Sequence, residues 1–317
     1  MLKLILNRLV LAVLTLVTVC TLVFGVTEAL PGDVCTAFLG RNAQGVRLEN
    51  CRSQRELDKP AIERFASWGY GVVTEGDLGR SLKRNKSINK MVGSRMRNTL
   101  LLAGTAALLG IPLAILLGVL AALRRDRRTD VGISTGAIFA MTLPEFVTAT
   151  LLIYIFAIQL HWFPAVTTVR HNAPLLDFLP NIVLPVITLT LVMSAHILRM
   201  VRSAMIDVMA SDFVQMAQLK GVPYWRIVFR HALPNAMLPA INIIALTIAW
   251  LLGGVVIIEQ VFNYPGIGTL MISAIYDRDL PLVQAIALVL AAIYVSVNLL
   301  ADLAGLALNP RLRTARG

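Results

Sequence analysis

The chain is 317 residues long, 57% apolar and only 15% charged, with a formal net charge of +11. Soluble domains carry about 25% charged residues, so this balance excludes an ordinary water-soluble fold. The basic excess would suit a nucleic-acid binder, but its placement along the chain, traced below, excludes that role. A spanning helix needs roughly 20 mostly apolar residues, and six stretches qualify: Leu9–Val26, Thr99–Leu123, Val131–Leu160, Asn181–Met200, Ala236–Ile258 and Pro281–Leu303. The pattern predicts an all-α membrane protein of six transmembrane helices, without internal repeat or second domain. Residues 1–27 form the first span and 28–97 a long loop. Residues 98–317 form a five-helix core that includes a polar loop over 201–235.

The first apolar run exceeds the 7–15 residues of a signal-peptide core, and no A-x-A cleavage site follows it, so it reads as an uncleaved span. With the N-terminus inside, the cytoplasmic segments hold fourteen basic residues. These are Lys3, Arg8, Arg124, Arg125, Arg127, Arg128, Arg199, Arg202, Lys220, Arg226, Arg230, Arg311, Arg313 and Arg316. The two short outer loops hold only Arg170 and Arg278. That asymmetry predicts cytoplasmic termini at both ends. The remaining basic residues lie in the long outer loop, which translocates largely regardless of charge. Arg95 and Arg97, close to the second span, stand against the trend.

Within that loop, Cys35 and Cys51 lie on the oxidising side and are expected to form a disulfide; Cys20, inside the first span, stays a free thiol. LDKPAIERFASWGYGV (Leu57–Val72) places Ile62, Phe65, Ala66 and Tyr70 near helical spacing, with Pro60 suited to a first turn. This predicts a surface helix packed on the membrane domain. GDLGRSLKRNKSI then reads as a turn-rich basic segment without a core of its own, at the membrane surface or across the mouth of a pathway.

Arg124–Arg128, directly after the second span, reads as a topology anchor at anionic lipid headgroups. Glu145, in TLPEFVT, falls near mid-depth of the third span. A carboxylate there faces a pathway or a partner, or is neutral or paired inside the bundle. Pro144 beside it frees backbone groups, as happens next to pathways. His196 and Asp302 read as paired structural groups.

The loop Val201–Ala236 is the most informative. Ser211 or Asp212 can cap a helix over Phe213–Leu219, and Gly221 permits the conformation that ends it. Pro223 suits the start of a second helix, on which Trp225, Val228, Phe229 and Ala232 form an apolar stripe while Arg226 and Arg230 share another face. Pro234 is expected to bend or stop the chain before the fifth span.

At this loop the chain resembles the permease subunits of the dipeptide/oligopeptide/nickel class of ABC importers. Their cytoplasmic loop follows E-A-A-x-x-x-G-x9-I-x-L-P. Here Ala217, Gly221, Leu233 and Pro234 match, while Gln215, Met216 and His231 depart; Ala217 to Gly221 reads A-x-x-K-G, with Gln218 and Lys220 between. Further matches follow in family order: LPGD (Leu30–Asp33), LDKP (Leu57–Pro60), GDLGRSL (Gly76–Leu82), NTLLL (Asn98–Leu102) and LPVITLTL (Leu184–Leu191). EQVFNYPGIG (Glu259–Gly268), RDLPLVQ (Arg278–Gln284), VNLLADL (Val297–Leu303) and NPRLR (Asn309–Arg313) complete them.

The resemblance implies a multi-pass protein of a prokaryotic inner membrane that imports peptides or similar small solutes by alternating access. It implies a second homologous permease subunit, two ATPase domains that bind ATP and Mg, and an extracytoplasmic solute-binding protein. The coupling contact with the ATPase would comprise Phe213, Gln215, Ala217, Gln218, Lys220, Gly221, Leu233 and Pro234. The chain itself has no G-x-x-x-x-G-K-[ST] phosphate loop and no H-E-x-x-H pair, so it reads as a non-catalytic subunit without catalytic, cofactor or metal residues of its own. Membrane lipid is a partner; nucleic acid is not. A nickel or glutathione importer of the same family is an alternative. An ATP-independent secondary transporter would need ion-coupling carboxylates in matched halves, and an intramembrane enzyme a nucleophile–base or metal constellation. One Glu without a repeat supports neither.

Overall fold

The computed structural model describes residues 2–29, 32–40, 43–54 and 56–308. The NPRLR motif, Arg316 and the first half of LPGD lie outside the described residues, as does the side chain of Asp302. The fold is all-α. It contains α1 (Leu2–Ala29), α2 (Val34–Leu39), α3 (Val46–Gln54), α4 (Ala61–Glu75), α5 (Ile88–Leu123), α6 (Arg128–Thr142) and α7 (Glu145–Leu152, continued as π-helix over Ile153–Gln159). There follow α8 (Leu175–Met209), α9 (Asp212–Leu219), α10 (Tyr224–Arg226, continued as π-helix over Ile227–Ala232), α11 (Leu233–Val261), α12 (Ile267–Tyr276) and α13 (Leu280–Leu308). Five helices are long and apolar enough to cross a membrane, and a sixth crossing arises if the bent pair α6–α7 counts as one. Two compact units result: residues 1–99, 170–173 and 265–295, and residues 100–169, 174–264 and 296–317.

In the first unit, Ile88, Val92, Ile267, Leu270, Leu282 and Ile286 form a buried cluster. Asp33 caps α2 by accepting from the Thr36 N–H at 2.8 Å, and its other oxygen accepts from Arg52 Nε at 2.7 Å. Burial disfavours the charge of Asp33, but the Thr36 N–H, the hydrogen bond and charge of Arg52 and the Cys35 N–H together outweigh it and hold the carboxyl below its ordinary pKa. Cys35 and Cys51 are joined, closing α2 onto α3. A bridge around a loop of this size contributes about 3 kcal/mol by restricting the unfolded chain. Cys51→Ser is therefore expected to open this segment, read as faster tryptic cleavage at the exposed Arg47. Equal cleavage of wild type and variant would remove the bridge from any role in stability.

The predicted surface helix exists as α4, but with a different packed face. Phe65 packs against Phe24 of α1 in a tilted pair with ring centroids 4.8 Å apart, and Trp68 Nε1 donates to the Leu78 carbonyl at 3.2 Å. Ile62 and Tyr70, expected inside, are 80% and 70% exposed. Periodicity defines an apolar stripe but not which edge of it the neighbours cover; here the aromatic partner on α1 selects Phe65 and Trp68.

The basic segment after α4 is anchored to the turn that precedes α13. Asp279, fully buried, accepts from the Ser81 hydroxyl and from the Leu82 N–H at 3.0 Å, while Lys83 and Arg84 pair with Asp277. Ser81 and Ile88 are buried with it. A buried carboxylate needs such donors, and two backbone N–H groups and a hydroxyl supply them.

In the second unit, α8 is the central post, with α6, α7 and α11 packed against it. It runs unbroken through Pro180 and Pro185. Gly118 of α5 meets it closely: a Cβ there would fall 2.8 Å from the Leu198 carbonyl oxygen. Small residues allow such contact between membrane helices.

The third predicted span is not one helix. α6 and α7 meet at an angle of 106°. Proline restricts the residue before it to extended backbone, and Leu143 accordingly has φ −80°, ψ 129°. Pro144 then becomes the N-cap of α7. Glu145 is thus the first residue after a break and not a mid-helix group.

Candidate functional site

The loop between α8 and α11 is built on a packed base. Ala204 and Met205 of α8, Val228 and Ala232 of the π-helix and Ala236 of α11 form one buried cluster, flanked by Ala122 and Leu123 of α5. α9 contacts the π-helix and α8, and its Val214 is fully buried. Ser211 occupies the N-cap position, but its hydroxyl donates to the Val208 carbonyl and does not cap α9.

The end of α9 explains the spacing from Ala217 to Gly221. Gly221 N–H donates to the Gln218 carbonyl at 2.9 Å and Val222 N–H to the Ala217 carbonyl at 3.1 Å. This pair of bonds closes a helix when the residue after the cap is left-handed, and Gly221 has φ +72°. Opposite Val214, α9 exposes Phe213, Met216 and Leu219, the last 83% exposed, with Gln215, Gln218 and Lys220 around them.

The second helix of the loop does not stop at Pro234. α10, the π-helix and α11 run on from Tyr224 to Leu251 as one candidate span. In a regular helix the proline ring would strike the carbonyl four residues back. The wider π-turn over Ile227–Ala232 immediately precedes Leu233 and Pro234, and insertions of this kind let a helix pass such a residue. Leu233 N–H donates five residues back, to Val228. The predicted apolar stripe divides: Val228 and Ala232 are buried, whereas Trp225 and Phe229 are exposed and stacked, with centroids 5.8 Å apart. Arg226 and Arg230 are both exposed.

Just above this base is an ion pair that sequence reasoning missed. Arg202 of α8 reaches Asp130 of α6 through Nε and Nη2, each 2.6 Å from one carboxylate oxygen. Asp130 is 2% exposed and accepts further from the Asp126 N–H at 3.0 Å and the Ser134 hydroxyl at 3.2 Å. Asp130 sits at the edge of an apolar run and Arg202 was counted only as a topology signal; nothing local links residues 72 apart in sequence.

Glu145 is half-buried, and its Oε2 is buried without a hydrogen-bond partner among the described residues. His196, expected to be paired, has no partner among the described residues: it is exposed and lines a concavity of about 320 Å³ between α8 and α11 with Met193, Ile243, Leu246, Thr247 and Trp250.

Several of the quoted motifs prove to be partners of one another. Asn98, fully buried, donates to the carbonyls of His171 and Pro265, each at 2.9 Å, and the Ile267 N–H donates to Thr99 Oγ1 at 2.8 Å. NTLLL therefore holds EQVFNYPGIG, just as GDLGRSL is held by Asp279 of RDLPLVQ. Arg97, anomalous by charge, donates to the carbonyls of His171 and Ala173 at 3.2 and 2.8 Å. Burial lowers the pKa of His171, and the charges of Arg95, Lys86 and Arg97 lower it further.

Residues 114–314 match the family described as binding-protein-dependent transport system inner membrane component. Residues 1–103 match the N-terminal part of the same kind of component. The chain belongs to this family. Relatives extend over the full length. A putative peptide permease protein of Brucella ovis is 34% identical over 318 residues, 99% of each chain. A probable peptide ABC transporter permease protein of Sinorhizobium fredii is 32% identical, covering 98% of each. A glutathione transport system permease protein of Escherichia coli is 32% identical, covering 99% of each. The permease is thus the membrane subunit of an ABC importer, a multi-pass protein of a prokaryotic inner membrane, and one component of a larger transport system.

Proposed function

We propose that the permease forms one half of the translocation pathway of an importer for peptides or closely related small solutes, with both termini in the cytoplasm. A second homologous permease supplies the other half. Two ATPase domains, which bind ATP and Mg, dock on the loop between α8 and α11, and an extracytoplasmic solute-binding protein delivers the solute. The chain itself performs no catalysis and holds no cofactor.

The observation that carries this reading is the shape of α9. It is anchored inward by Val214 and presents Phe213, Met216 and Leu219 outward beside the rigid turn at Gly221. An apolar face on a helix fixed to a packed base can dock in a groove and transmit a push; the same face in water would be a liability. The names of the relatives, two of peptide permeases and one of a glutathione permease, support a peptidic solute.

The test is uptake by proteoliposomes that contain both permeases, the ATPases and the binding protein. Tripeptide or glutathione uptake that requires internal ATP is the expected result. ATP-independent uptake would sink the importer reading, and ATP-driven uptake of nickel without peptide would replace the solute.

A further inference from the structure

Two buried oxygens without a hydrogen-bond partner among the described residues lie just after the break in the third span. Glu145 opens α7 directly after the 106° bend, and its Oε2 is buried without a partner among the described residues. Thr148, three residues on and so on the same face, is 8% exposed, and its Oγ1 also lacks a partner. On α8, against which α7 packs, Thr190 Oγ1 is a third. A helical threonine ordinarily returns its hydroxyl to the carbonyl one turn back. Thr150 does so toward Phe146 at 2.7 Å, and Thr188 does so toward Leu184 at 2.8 Å. Thr148 and Thr190 do not, although their surroundings are drier than those of Thr150.

Buried polar atoms in folded proteins nearly always find a partner. An ionisable residue inside a membrane domain, at a broken helix, marks a transported or transferred group. The chemistry of the missing partner follows from the oxygens. A carboxylate only accepts and a hydroxyl can accept, so the partner is a donor of several N–H bonds, and a positive charge suits Glu145 best. An ammonium group has both properties.

We propose that Glu145, with Thr148, receives the α-ammonium group of the solute as it passes through the permease. The assignment rests on the reading of the solute as a peptide. It gives the permease a selectivity of its own, separate from that of the binding protein. Glu145 supplies the charge and one acceptor, Thr148 a second acceptor, and the bend at Pro144 presents both at the start of α7.

The experiment omits the binding protein so that its preference cannot intervene. Equilibrium dialysis of the purified permease–ATPase complex, without ATP, compares a radiolabelled tripeptide with its N-acetylated twin. Wild type is expected to hold the free amine at least about tenfold more tightly. Glu145→Gln is expected to bind both peptides alike, Glu145→Asp to keep the preference, and Thr148→Val to weaken it. Equal binding of the two peptides by wild type overturns the proposal, as does a preference that survives in Glu145→Gln. Binding that needs sodium but ignores acetylation would assign the oxygens to an alkali cation and overturn it too. If neither peptide binds but the full system imports peptides on ATP, the ammonium site fails and the importer reading stands. If the full system imports no peptide, the importer reading fails first.

Discussion

Gly221→Asp is expected to leave membrane insertion and α8–α11 packing intact and to cut ATP-driven uptake by at least about tenfold, the factor that 1.4 kcal/mol represents. Two costs combine. Gly221 has φ +72°, where a side chain is strained by about 1 kcal/mol. Its backbone N–H also closes α9 by bonding to Gln218, so relief of the strain would loosen the turn that fixes the exposed face. Apart from its two chain neighbours, no described atom lies within 4 Å of a Cβ built there, so the isolated permease can house the new side chain. The damage therefore falls on the docked state, where an added carboxylate faces the ATPase. Co-purification of the ATPase with variant and wild-type permease, followed by uptake per ATP hydrolysed, measures it. Full coupling in the variant would refute the role of this turn.

Arg202→Met should strongly destabilise the second unit. It leaves Asp130, 2% exposed, without its two guanidinium bonds. Removing one member of a buried pair costs about 3–5 kcal/mol, because the remaining charge has lost its solvent without compensation. The Asp126 N–H and Ser134 hydroxyl still reach Asp130, which favours the lower end of that range. Replacing both residues, as Asp130→Leu with Arg202→Met, should recover most of the loss, since an apolar pair needs no donors. Thermal unfolding of the detergent-solubilised complex compares the singles with the double. A double variant no more stable than either single would show that the pair is not the source of the effect. The prediction bears on function because the pair ties α6, which leads into the break before Glu145, to the end of α8 that carries α9.

Much of the molecule was legible in its sequence, for reasons that can be named. Apolar run length gave the membrane class and five of the six spans, because the bilayer imposes length and hydrophobicity residue by residue. Gly221 was legible because closing a helix in a left-handed turn is a local demand that one residue type meets cheaply. The paired motifs were legible as a family pattern, but not as contacts.

Tertiary structure decided the rest. Pro144 and Pro234 look alike in sequence, yet one ends a helix and the other lies within one. A π-turn seated on the cluster formed by α5, α8 and α11 precedes Pro234, whereas the extended Leu143 precedes Pro144. Which face of α4 is covered depended on Phe24 of another helix. Whether Asp130, Glu145 and His196 have partners depended on groups brought together by helix packing: Asp130 met Arg202, while Glu145 and His196 met none among the described residues. Sequence alone determined where the chain is apolar, where it turns and which family it resembles, since each is written over a few consecutive residues. Only the fold decided which charges are paired and which proline breaks its span, because those outcomes depend on neighbours many turns away.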